Sequence, residues 1–491
     1  MRIFAAPPIG EYKELSQEHF IAVVKRDCET CQLVEPVLAE LQSGATLTVY
    51  SQDDPTFPES VRGVRDDTAL ERSWQLNIQT VPTLIRIDGD DEAARAEGWV
   101  RDEWQTVARR AGLGSELPAF QPGCGSRTAD PGMPERLALR YGALQLKARA
   151  IEVADEQDPM EIAFERGWSD GLPIVPPTDL RVALMLSGTA RKADEVIGLI
   201  PPNLVECTVE KAAINAVMAG CKPEYFPVVL GVIEAALRDE FSMHGLLCTL
   251  WFAGPVVIVN GPITRRIGMN SGGNALGQGN RANATIGRAL QLLIRNVGGG
   301  VPGEIDRSVL GNPGKYTFCF AEDESDPDWM PLNVARGATP GSSSVTLFHG
   351  DGVQGIQAWS ARDPEELCRA LAASLWAVCH PKIAGWSGAI LVLSPEHYLM
   401  YKQAGWQRAD VEAGLKEALK RPGKDLVTGA HGIAEGIDPS RADEMVDKFN
   451  DGQLLVVRAG GRGGAISAVI GGWTAHRRPD DVQIVTQEIQ L

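Results

Sequence analysis

The chain lacks a basic excess, a long apolar run and a dense set of metal ligands. Lys plus Arg number 47 against 64 Asp plus Glu, a formal charge of −17. Nucleic acid or an anionic membrane would need a basic face, so neither is expected as a partner, although a local basic pocket stays open. The longest apolar stretches, such as Leu246–Val259, are interrupted by Cys, Thr, Gly and Pro and are too short to span a bilayer. The start, MRIFAAPPIGEYKEL, has no signal-peptide core, so a cytoplasmic protein is expected. Seven His are scattered without an HExxH, and a single CxxC supplies two ligands where a closed zinc site needs about four; neither metal nor cofactor is expected. Walker and paired-carboxylate motifs are absent too.

What is present is an ordinary globular composition, 44% hydrophobic and 23% charged, over 491 residues. At about 150 residues per domain that length suits two or three domains. Gly is abundant at 52 residues, against a usual share of about 7%, which points to tight turns and close backbone approaches. Much of it falls at 267–315 and 459–472, where pocket-forming loops are expected. The nine Cys cannot all pair internally and read mostly as reduced thiols.

Three zones follow. Residues 1–113 carry a compact α/β pattern: strands at 19–25, 46–50 and 83–87, helices at 29–41, 70–76 and 102–111. Residues 114–150 are rich in Pro, Gly and Ser and read as an irregular connector. Residues 151–491 read as a large α/β or α+β region, with a division into two subdomains near 340–385 left open. Strands are expected at 256–260, 389–393 and 454–458, all continuous apolar runs of the kind buried on both faces. Helices are expected at 208–219, 226–238, 282–296, 364–378 and 411–420.

The sharpest chemical signal is Cys28-Glu-Thr-Cys31, directly after a predicted strand and opening a helix. Free N–H groups and the dipole at a helix start favour a thiolate on Cys28, and Cys31 is spaced to resolve a mixed disulfide. Pro36 should bend the helix, and Val81-Pro82-Thr83 opens the third strand. With Gly98, these features resemble the thioredoxin family over about 100 residues. The resemblance implies a thioredoxin-like fold, Cys28 as attacking thiol, Cys31 as resolving thiol, and a cis-type Pro82 packed against the pair and shaping a substrate groove. The chain departs from that pattern at Asp27, at the Glu29-Thr30 between the thiols, and at Ala22. Negative charge at Asp27 and Glu29 is expected to raise the Cys28 pKa and to suit a dedicated redox protein partner. A structural remnant without redox use is the alternative.

Beyond residue 115, segments such as GWSDGLPIVPPT, MNSGGNALGQGNRANATIGRAL and AGGRGGAISAVIGGW resemble an uncharacterised bacterial family found joined to thioredoxin-like domains, which implies no particular reaction. Within Met269–Leu290, Asn270, Asn274, Asn280, Asn283 and Arg281 offer an anion- or amide-reading pocket; a Gly/Asn turn with an Asn helix cap is the alternative. Gly277-Gln-Gly-Asn-Arg-Ala282 matches GxGxxA in form only, since no strand leads into it. Cys221, at a helix corner beside Lys222, is a candidate nucleophile with Glu224 as proton carrier; a buried small hydrophobe is the alternative. Cys124, in PGCGS, has Gly neighbours that permit approach by another sulfur and is a candidate relay thiol. His244 and Lys315 are candidate substrate contacts. Cys207, Cys248 and Cys319 read as core.

Together these features lead to an expected thiol-disulfide-linked oxidoreductase, in which the first domain passes electrons or a thiol to a larger domain acting on a small polar or anionic substrate. A lyase, hydrolase or transferase working wholly in the large domain is the first alternative, and a thiol-dependent binding or assembly protein the second. A homo-oligomer is left open.

Overall fold

The apolar run HFIAVV becomes strand β1 (His19–Val24), the middle strand of a five-stranded sheet. The computed structural model describes residues 19–89, 91–142, 144–473 and 484–490. It divides into two compact units, Met1–Leu146 and Lys147–Leu491. In the first, β1 is followed by α1 (Glu29–Leu33), α2 (Glu35–Gly44), β2 (Thr46–Ser51), β3 (Arg65–Asp66), α3 (Glu71–Gln75), β4 (Thr80–Val81), β5 (Thr83–Asp88), β6 (Asp91–Glu97), β7 (Trp99–Val100) and α4 (Arg101–Ala108). The sheet order is β3-β2-β1-β5-β6, with β1 parallel to β2 and antiparallel to β5. A parallel neighbour requires a crossover, which α1 and α2 supply. The helix expected over 29–41 is broken at Val34, which ends α1 and caps α2. Pro36 thus falls in the first turn of α2, where its missing N–H leaves no helical bond unmade. Leu38, Trp99 and Trp104 are fully buried in the core with β1.

The stretch expected to be a connector over 114–150 is largely built into this unit. Here β8 (Phe120–Gln121) pairs with β7, and β9 (Cys124–Gly125) pairs with β4. Ser126 and Thr128 are buried. Gln52 Nε2 donates to Ser126 Oγ at 2.7 Å, and α5 (Met133–Tyr141) packs on α3. These pairings use backbone groups, so the segment needs no apolar pattern of its own, and the boundary falls after Leu146 rather than at 113.

The second unit is mixed α/β and holds two four-stranded sheets. One runs in the order Cys319–Ala321, Gly254–Asn260, Ser344–Gly350, Val485–Glu488; the other Val353–Gln357, Ile466–Trp473, Ser387–Leu393, Leu454–Arg458. Side chains alternate across each strand. Ile390, Val392, Leu455 and Val457 share a core with Val256, Ile258, Phe320 and Phe348 of the other sheet. Ala389, Leu391, Leu393 and Val456 pack with residues of helices Pro364–Leu375 and Arg408–Ala418. Both faces are therefore buried, which explains the continuous apolar runs. Helices Phe226–Ala236 and Arg281–Asn296 lie on the first sheet, with Val209–Ala219 against both. A division near 340–385 does not occur, because the two sheets share one core. Among the described residues no helix is long and apolar enough to cross a membrane.

Candidate active site

After β1 the chain turns through Lys25–Asp27. The Asp53 carboxylate holds this turn, accepting from Arg26 N at 2.7 Å and Asp27 N at 3.0 Å. Cys28 then caps α1: its backbone is extended (φ −155°, ψ 112°), and its Sγ accepts the Cys31 N–H at 3.3 Å. Cap geometry of this kind favours the anionic sulfur. The Cys31 thiol hydrogen-bonded to Cys28 lowers the Cys28 pKa, burial opposes it, and Cys124 adds a further lowering, for a value of about 5. Burial, reinforced by the neighbouring Cys28 sulfur, pushes the Cys31 thiol far above the ordinary thiol range.

The expectation that Asp27 and Glu29 would raise the Cys28 pKa is corrected. Both side chains are exposed, so water screens their charge, while the thiol and amide hydrogen bonds act directly on the sulfur.

The Val81–Pro82 peptide is cis as expected, whereas Pro82 itself is not among the residues that line the neighbouring cleft. Cys28 Sγ sits 3.6 Å from the Val81 carbonyl oxygen. Val81 is the register partner of Cys124 in the β4–β9 pair, so Cys124 is delivered to the same place. Cys28 and Cys124 both line a cleft of about 650 Å³, with Glu29, Pro122 and the exposed Phe120 on its walls. Three features fix the 120–125 segment there. Thr30 Oγ1 donates to Pro122 O at 2.6 Å, and Lys25 Nζ donates to Gly125 O at 2.9 Å. Gly98 (φ +67°) and Gly123 pack backbone to backbone: a Cβ on Gly98 would lie 2.7 Å from Gly123 N. Asp53 and Lys25 escaped the sequence reading, because only the fold brings them to the CxxC. The Gly residues flanking Cys124 were the visible hint.

The candidates of the second unit fare differently. Cys221 is buried, and burial pushes its thiol up to about 12. Lys222 and Glu224 are exposed. The activated nucleophile expected at that corner is thus corrected: desolvation outweighs the nearby helix start. The Asn residues serve their own loop. Asn270 Oδ1 accepts from Gly272 N at 2.9 Å, Asn274 Nδ2 donates to Gln278 O at 2.6 Å, and Asn280 caps helix Arg281–Asn296 through Asn283 N at 3.0 Å. Asn283 is buried and donates to Asn270 O at 2.8 Å, while Arg281 Nε donates to Gly220 O at 2.9 Å. Most of the polar groups expected to read a ligand are committed to the loop carbonyls, although a cleft of about 430 Å³ remains beside Asn270, Asn274 and Asn280. The two Gly-rich stretches do meet, with Gly460 N donating to Ser271 O at 2.9 Å. Lys315 is held in an ion pair with Asp306 at 2.7 Å, and His244 is exposed. Cys207 and Cys319 are buried as expected; Cys248 is exposed and is not core.

One cluster was missed. Arg458 ends strand Leu454–Arg458, donates to Asp323 Oδ2 at 2.9 Å and lies 3.8 Å from the Tyr398 ring centre. With Lys402, Asp326 and Arg462 it lines a cleft of about 470 Å³. The signal was a charged residue closing an apolar strand ahead of a Gly-rich loop. No family model and no curated protein matches the chain.

Proposed function

We propose that the protein is a thiol–disulfide oxidoreductase whose first unit is a thioredoxin-like exchange module, with Cys28 the attacking thiol and Cys31 the resolving thiol. The observation that carries this reading is the Cys28 sulfur capping α1, hydrogen-bonded by Cys31 and poised with a pKa of about 5 at an open cleft. The sheet order around β1, the cis peptide at Pro82 and the Val81 carbonyl beside Cys28 support it. The Cys28 thiolate attacks a substrate disulfide and expels one thiolate; Cys31 then attacks the mixed disulfide and expels the second. The substrate gains two electrons, Cys28–Cys31 becomes a disulfide, and an external dithiol restores it. Phe120 offers an apolar contact at the cleft, and Asp27 and Glu29 disfavour an acidic partner. The test uses reduced full-length protein and bis(2-hydroxyethyl) disulfide. Release of two mercaptoethanol molecules with Cys28 oxidised is the expected result, lost in Cys28→Ser. Unchanged release in Cys28→Ser overturns the reading.

A second reading places the chemistry wholly in the larger unit, with the first keeping a thiol reduced. It is favoured by the charged cleft at the carboxyl ends of the parallel strands Ser387–Leu393 and Leu454–Arg458, the place where α/β sheets bind ligands. Arg458 and Arg462 suit a small polar or anionic substrate there. Turnover of such a substrate that survives Cys28→Ser under added reductant distinguishes this reading from the first.

A further inference from the structure

We propose that Cys124 is a second resolving thiol, which closes a Cys28–Cys124 disulfide across the cleft; this rests on Cys28 being the attacking thiol. Three thiols converge at the site, and they differ in access. Cys31 is fully buried, whereas Cys124 is half-buried and lines the cleft that an incoming disulfide must enter. Register sets the approach: Cys124 stands opposite Val81, whose carbonyl oxygen lies 3.6 Å from Cys28 Sγ. The anchors of the 120–125 segment hold it there, through Thr30, Lys25 and the Gly98–Gly123 contact. So much specific packing around a two-residue strand positions the Cys124 sulfur against the nucleophile.

Electrostatics also changes in its favour during the reaction. Burial first, and then the adjacent Cys28 sulfur, raise the Cys124 pKa, while Lys25 lowers it. Once Cys28 is in a mixed disulfide its charge is gone, and Lys25 remains to favour the Cys124 thiolate. Burial is the first cause raising both Cys31 and Cys124 and persists in the mixed disulfide, but Cys31 is fully buried and Cys124 only half-buried. The step balances: Cys124 thiolate attacks Cys28–S–S–R, the Cys28–Cys124 bond forms, and R–S⁻ leaves. With the first thiolate already expelled, the substrate disulfide has taken two electrons from Cys28 and Cys124.

The test uses full-length Cys31→Ser protein, reduced and then exposed to bis(2-hydroxyethyl) disulfide, with peptide mapping after acid quench. Release of both thiols and a mapped Cys28–Cys124 disulfide are expected. Adding Cys124→Ser, or Cys124→Ala as an independent variant, should hold the mixed disulfide on Cys28 and slow release of the second thiol about tenfold or more. A Cys31→Ser protein that keeps the mixed disulfide with Cys124 free overturns this proposal and leaves Cys28 as attacking thiol. Failure of Cys28 to react in every variant overturns the exchange reading as well.

Discussion

Cys28 concentrates the chemistry at the residue scale. Its pKa falls from an ordinary 9.0 to about 5 because hydrogen bonds from its neighbours act on a sulfur that caps a helix. Alkylation of reduced protein by iodoacetamide, mapped at Cys28, should therefore rise with a midpoint near pH 5 and be level between about pH 6.5 and 8, where an ordinary thiol climbs about tenfold per unit. A profile still climbing there contradicts the low pKa. Ionisation also favours the folded state, because the folded pKa is the lower one. That contribution is complete above the unfolded value and is lost as pH falls through about 5. The buried Cys207, Cys221 and Cys319, whose thiols burial pushes well above the ordinary range, should stay unmodified over the same range.

At the scale of elements, the pairing of β4 with β9 holds the site together. A Cβ at Gly123 would lie 2.4 Å from Thr80 Cγ2 and 2.8 Å from Val81 O. Gly123→Ala should displace β9, lower stability by about 1–3 kcal/mol and weaken formation of the Cys28–Cys124 bond. Gly125→Ala, with nothing within 4 Å of its Cβ, should stay within about 0.5 kcal/mol of the parent in the same denaturant titration. Much of this level was legible in the sequence. Strands 19–24, 387–393 and 454–458 are apolar runs, and helices Val209–Ala219 and Pro364–Leu375 begin at capping Thr208 and Asp363. The two-residue strands β3, β4, β7, β8 and β9 were not, since backbone pairing of that length leaves no side-chain period to read.

For the whole molecule, the boundary after Leu146 has a direct consequence. A chain ending at 146 keeps both short pairings and the buried Ser126 and Thr128; one ending at 113 loses them. The shorter chain should be less stable by about 3 kcal/mol, or about 10–20 °C in melting temperature for a unit of this size. Equal melting temperatures for the two chains would show that the 120–142 stretch contributes nothing. In the second unit, the fully buried Glu322 accepts from Arg408 Nη2, Asn260 Nδ2 and Leu332 N, each at 2.7 Å. It binds the end of a strand in one sheet to a helix packed on the other, which makes the two sheets one body.

The sequence by itself determined the longer apolar strands, the capped helices and the CxxC at a helix start, because hydrophobic period, caps and the CxxC spacing act over a few residues. Only the tertiary structure decided that Cys28 is acidic despite its charged neighbours, that Cys124 joins it, and that Cys221 is silenced. It also committed most of the Asn-rich amides to their own loop. Each of those outcomes depends on burial and on partners brought from distant parts of the chain, and no local pattern encodes which sulfur, carbonyl or glycine will stand opposite.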